Sequence, residues 1–169
     1  MKSLISYIKY ILIAFAIALI VRNFVFNISI VNQTSMYPTL KPKDVLISNS
    51  FYRFSKNHNR GDIIVFKSSE DNKLLIKRII GLPGETVEIL DGDVLINGDL
   101  LEENYLEDPY TPSEIEKFEV GEDELFVMGD NRDGSFDSRN FGPIKNSSVR
   151  SKPIVRILPI KNAKFINKK

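Results

Sequence analysis

The chain has no cysteine and only one histidine in its 169 residues. The first absence excludes disulfides, thiolate metal sites and a cysteine nucleophile together. The second excludes a metal centre built on several histidines, and it leaves a Ser-His-Asp triad only His58 to use. That residue lies in the polar run Lys56-Asn57-His58-Asn59-Arg60-Gly61, which reads as an exposed loop. Charge of one sign is also lacking: 23 basic against 22 acidic side chains give a formal net charge of +1. Nucleic acid is therefore not an expected partner, because no basic excess exists to neutralise phosphates. The basic end formed by Lys161, Lys164, Lys168 and Lys169 reads as solvated surface. No repeat is evident, and outside the N-terminus no long helical apolar period occurs.

What is present begins with an unbroken apolar run from Tyr10 to Val21. Extended to Tyr7–Phe26, it reaches the length of about 20 residues that a bilayer span requires. Lys9 and Arg22 then fall near its ends, where long cationic side chains can snorkel to the headgroups. The run lacks the polar stripe of an amphipathic helix. Its small residues Ala14, Ala16 and Ala18 lie inside it rather than after it, unlike those of a cleaved leader. The expectation is residues 1–6 in the cytoplasm, 7–26 as a single transmembrane anchor in the plasma membrane, and 27–169 as an extracytoplasmic domain.

That domain reads as mostly β. Phe24–Val31, Asp44–Ser48, Asp62–Lys67, Leu74–Ile80, Glu124–Met128 and Ile154–Leu158 are short runs rich in β-branched or apolar residues. Val87–Leu90 and Val94–Ile96 flank Asp91-Gly92 as a hairpin, with Asn97-Gly98 marking the next reversal. Glu102–Val120, acidic and interrupted by Pro109 and Pro112, reads as a surface excursion.

Three segments carry chemistry. Gln33-Thr34-Ser35-Met36-Tyr37-Pro38-Thr39-Leu40 holds a serine before a proline. Leu74-Leu75-Ile76-Lys77-Arg78-Ile79-Ile80-Gly81-Leu82-Pro83-Gly84 embeds a lysine in an apolar strand, on one face with Leu75 and Ile79 at period two. Such a lysine is either an edge-strand charge, a stem whose amine reaches water, or a desolvated base with a lowered pKa. Gly129-Asp130-Asn131-Arg132-Asp133-Gly134-Ser135-Phe136-Asp137-Ser138-Arg139-Asn140-Phe141-Gly142 is dense in polar and charged residues. Its arginines and the lack of a closing glutamate argue against a calcium loop, so no metal is expected. A salt-bridged loop supporting a site fits better, with Asp137 and Arg139 able to pair.

In this order, together with Gly61-Asp62-Ile63-Ile64-Val65-Phe66 and an apolar N-terminus, these segments resemble the type I signal peptidase family in its small Gram-positive-like form. The resemblance runs to about Ile144. It implies a signal-peptidase-like β-sheet catalytic domain on a single N-terminal transmembrane helix, acting on preprotein signal peptides after small residues (Ala-x-Ala) without a cofactor. It implies Ser35 as nucleophile and Lys77 as general base, with Ser135 orienting the lysine amine. Asp137 and Arg139 match the supporting pair, Asp130 and Arg132 share their loop, and Met36 faces substrate. Related enzymes usually carry glycine or serine two positions before the nucleophile, where this chain has Gln33 followed by Thr34. The oxyanion region then comprises the Ser35 backbone N–H and a second donor from the Gln33 amide or Thr34 hydroxyl. Two other readings remain: a serine–lysine protease with a dedicated substrate, and a non-catalytic homologue that binds export substrates.

Overall fold

The computed structural model describes residues 7–16, 26–55 and 57–166. Helix α1 spans residues 7–16, and its apolar side chains are exposed, Ile11 at 66% and Phe15 at 62%. Residues 17–25 of the expected 7–26 span lie outside the described residues, as do Arg22, Lys56, Lys168 and Lys169. Among the described residues, no helix is long and apolar enough to cross a membrane.

The rest is antiparallel β-structure. Strands β1 (Phe26–Ile30), β2 (Val45–Asn49), β3 (Ile63–Lys67) and β4 (Leu74–Gly81) are followed by β5 (Thr86–Leu90), β6 (Asp93–Ile96), β7 (Asp99–Leu100) and β8 (Lys117–Glu119). Then come β9 (Glu124–Met128), a single helical turn α2 (Ser138–Phe141), β10 (Ile144–Lys145), β11 (Val149–Leu158) and β12 (Lys164–Phe165). The main sheet runs β1-β2-β11-β3-β4-β9-β10, with β12 paired to β11; β7-β6-β5-β8 form the second. The ten-residue β11 is longer than the expected Ile154–Leu158 and passes from β3 to β2 with register shifts on either side of β2's Ile47. Bulges of this kind bend a strand, so one strand serves both halves of the sheet.

The hairpins close as their residues dictate. Asp91 and Gly92 have φ of 51° and 91°, and Leu90 pairs with Asp93 across the two-residue turn. Asn97 and Gly98 repeat the geometry between β6 and β7. Positive φ at both central positions matches the right-handed twist of paired strands, which is why Asx-Gly is favoured there.

Two expectations are corrected. The segment Glu102–Val120 is not simply a surface excursion. Its end forms β8, which pairs with β5, and Phe118 and Val120 join the core with Val87, Phe126 and Met128. The Phe118 and Phe126 ring centroids are 4.7 Å apart. A few apolar residues among carboxylates were enough to make a strand once β5 offered its open edge. His58 is buried rather than exposed, its ring 5.0 Å from that of Tyr52. Desolvation lowers its pKa, partly opposed by the nearby Asp62 carboxylate.

Candidate active site

Ser35 follows β1 on a tight turn in which Tyr37 N–H donates to the Thr34 carbonyl and Leu40 N–H to that of Met36. Val31, Met36 and Leu40 anchor the turn in a core cluster with Leu46 and Ile63. Ser35 itself is 7% exposed. Lys77 sits in β4 opposite Ile64 of β3 and is 2% exposed. The water-reaching alternative for this lysine therefore does not apply. Its Nζ donates to Ser135 Oγ at 2.7 Å. Burial lowers the Lys77 pKa to about 8, with Arg139 acting in the same sense and the Asp137 and Asp130 carboxylates opposing. Taking an ammonium out of water penalises its charged form, which produces a neutral amine at moderate pH.

Ser35 and Lys77 line one recess of about 490 Å³, with Gln33, Thr34, Leu75 and Phe136 also on its walls. A second recess of about 280 Å³ meets it at Ser35 and is lined by Val31, Met36, Leu74 and Ile76. Met36 is thus both core and recess wall, 1% exposed. Among the described residues, the Gln33 amide, Thr34 hydroxyl and Ser35 backbone N–H make no hydrogen bond, so all three remain available to a ligand.

Behind the recess, Asp137 caps α2 and accepts from Gly129 N–H at 2.9 Å. Burial alone would raise the Asp137 pKa. The two Arg139 bonds of 2.9 Å, with the Gly129 N–H bond and the nearby Ser135 hydroxyl acting in the same sense, outweigh that effect and leave the pKa lowered. Asp130 does not pair with Arg132, although they share a loop. It takes a two-pronged contact from Arg78, Nε to Oδ1 at 2.8 Å and Nη2 to Oδ2 at 2.6 Å, and Thr39 Oγ1 donates to it at 2.5 Å. Arg132 instead grips Glu103 at 2.9 and 2.6 Å and donates to Gly129 O at 3.0 Å.

Sequence reasoning overlooked four positions. Arg78 ties the lysine strand to the Asp130 loop, and its place beside Lys77 within the same motif was a usable signal. Gly129 is where the Ser35 segment meets the Gly129–Gly142 loop, because a Cβ there would clash with both Ser135 Oγ and the Ser35 carbonyl. Asn131 N–H donates to that carbonyl at 3.0 Å. Glu103, far away in sequence, had no signal. No group of His, Cys, Asp and Glu able to hold a metal ion occurs among the described residues.

A serine and a buried lysine open on one recess of a β-sheet domain, side chains of the types that can act as nucleophile and base without a histidine. Comparison with known proteins gives the family. The family described as signal peptidase, peptidase S26, matches residues 4–158. Signal peptidase I P of Bacillus subtilis subsp. natto is 38% identical over 148 residues, 82% of this chain and 80% of that protein. Signal peptidase I of Leptolyngbya laminosa is 38% identical over 165 residues, 90% of this chain and 79% of its own. A crystal structure of a signal peptidase I from Enterococcus faecalis V583 superposes with a TM-score of 0.51 at 41% identity, covering 57% of this chain and 97% of that one. The chain belongs to the signal peptidase family, peptidase S26, and is a serine endopeptidase.

Proposed function

We propose that the chain removes signal peptides from exported preproteins with Ser35 as nucleophile and Lys77 as general base. The observation that carries this reading is the buried Lys77 amine, 2% exposed and held by Ser135 at 2.7 Å, opening on the same recess as Ser35. The neutral amine accepts the Ser35 proton as Oγ attacks the scissile carbonyl. The Ser35 N–H, with Gln33 or Thr34, receives the developing oxyanion. Lys77 then protonates the leaving amine, and a water activated by the same base hydrolyses the acyl-enzyme. Ser135 orients the lysine; Asp137 and Arg139 hold the Ser135 loop, while Asp130 and Arg132 support it through Arg78 and Gly129.

Substrate fits as an extended strand. β9 pairs with β4 only from Arg78 onward, so Leu74–Lys77 has β3 on one side and, among the described residues, no strand on the other. A peptide laid along that edge would alternate its side chains between the two recesses. The smaller, walled by Val31, Met36, Leu74 and Ile76, suits small apolar side chains and excludes bulk. Residues 7–26 serve as the membrane anchor in this reading, which the exposed apolar side chains of α1 support. The catalytic domain then lies on the extracytoplasmic side, facing the bilayer from which preproteins emerge.

The test is cleavage of a preprotein bearing an Ala-x-Ala site by the purified chain, alongside Ser35→Ala and Lys77→Ala. Both substitutions are expected to abolish cleavage; turnover surviving either one refutes the dyad.

A further inference from the structure

The segment from Glu103 to Ile115 is built against the active-site loop, and the way it is held points to a use. Arg132, whose side chain is 2% exposed, fastens it at Glu103 and also donates to Thr111 Oγ1 at 2.5 Å. Arg139, already bound to Asp137, reaches the Pro112 carbonyl at 2.8 Å. Two buried arginines of the site thus fix the position of this segment. Between this segment and the loop lies a cleft of about 640 Å³. It reaches Ser135, the partner of the Lys77 amine, and it shares Phe136 with the recess that holds Ser35 and Lys77. Tyr110, Ile115 and Phe136 stand exposed on its walls at 57%, 51% and 56%, and Glu114 and Asp133 place carboxylates at its rim.

We infer that this cleft binds the polypeptide on the leaving-amine side of the scissile bond, an assignment that rests on the dyad reading above. The direction follows from the chemistry. The acyl half stays on Ser35 with its small side chains in the apolar recess by Met36. The leaving nitrogen must take its proton from Lys77, so its chain departs over the Lys77–Ser135 pair. The space that continues from Ser135 past Phe136 is this cleft. Aromatic and aliphatic walls with a carboxylate rim favour apolar, neutral or basic side chains soon after the bond and disfavour acidic ones, because like charges repel across a partly desolvated site. Fixing the wall in advance spares the ordering cost that a loose segment would incur on binding.

The experiment uses the full chain and peptides that share one acyl half. One peptide ends in a simple amide leaving group; the others carry roughly four further residues, neutral, basic or acidic at the positions following the bond. Extension with neutral or basic residues should raise kcat/KM by about tenfold or more, and acidic residues should erase most of that gain. In Ile115→Asp and Tyr110→Ala the ratio of long-peptide to short-peptide kcat/KM should fall several-fold, roughly to a third or less. The length and charge series in the unmodified chain stands even if a variant folds poorly. A kcat/KM that ignores both length and charge, or a length gain that persists in both variants, overturns the assignment. Cleavage of the short peptide that is lost in Ser35→Ala keeps the dyad standing in that event, so the two failures are distinguishable.

Discussion

The Lys77 amine donates a 2.7 Å hydrogen bond to Ser135 Oγ, and the Ser135 carbonyl in turn accepts from Arg139, which is paired with the buried Asp137 carboxylate. A base is thereby tied through one residue to a buried ion pair. The neutral amine has a lone pair to accept the Ser35 proton only if its own N–H is directed elsewhere, and Ser135 supplies that direction. Replacing Ser135 with alanine should lower kcat by roughly 10–100-fold while changing KM little, because binding of substrate does not depend on the lysine rotamer. Steady-state kinetics on an Ala-x-Ala peptide check this, and a loss confined to KM would count against it.

The pH profile follows from the Lys77 pKa of about 8, lowered by burial. The active form is the unprotonated one, so kcat/KM should rise with pH and level off above that value. An inflection near ~10.4, the value of an unperturbed lysine, would show that the amine is not desolvated in solution.

The same lysine should cost stability. Its folded pKa of about 8 lies below the unfolded value of 10.5. Below pH 8 it is protonated in both states, and the folded state carries the full desolvation penalty. Between pH 8 and pH 10.5 the unfolded chain binds more protons, so stability rises with pH. Lys77→Met should therefore be more stable than the unmodified chain below pH 8, by up to about 3 kcal/mol, with the gap narrowing as pH rises. Urea denaturation at several pH values measures it, and a gap that does not narrow refutes desolvation of the ammonium as its cause.

Gly129 offers a steric test. Its missing side chain lets the Ser35 carbonyl and Ser135 hydroxyl approach one another across the loop. Gly129→Ala must push them apart, so we expect a loss of about 1–3 kcal/mol in stability. Activity should fall further, by roughly 100-fold, because a displacement near 1 Å is enough to misalign a reacting pair. Thermal unfolding together with kinetics separates the two effects.

The relation of Arg78 to Asp130 makes a sharper prediction about folding. Both side chains are nearly buried, at 9% and 0% exposure, and they meet at 2.6 Å. Arg78→Met leaves a carboxylate buried without its charge partner, which typically costs about 3–5 kcal/mol. The double variant Arg78→Met/Asp130→Leu should recover much of that loss. Equilibrium unfolding of these two variants and of Asp130→Leu closes the cycle.

What the residues determined by themselves were the local features. Asp91-Gly92 and Asn97-Gly98 dictate their turns because a positive φ at both positions is a property of the dipeptide. The strands at Val45, Ile63 and Leu74 follow from β-branched runs of the right length. The motifs around Ser35, Lys77 and Asp137 could be read in order, and the absence of cysteine and scarcity of histidine narrowed the chemistry they could perform. Tertiary structure decided every partnership between distant segments. Asp130 meets Arg78 rather than Arg132 because the β4–β9 register sets Arg78 opposite Met128, two residues before Asp130. The depression of the Lys77 pKa depends on its complete burial, not on its neighbours in sequence. His58 went inside because Tyr52 packs on it, and Glu103 reached Arg132 because the chain returns to pair β8 with β5. Local residues set the turns and strands; long-range register and burial decided which charges met and which amine lost its water.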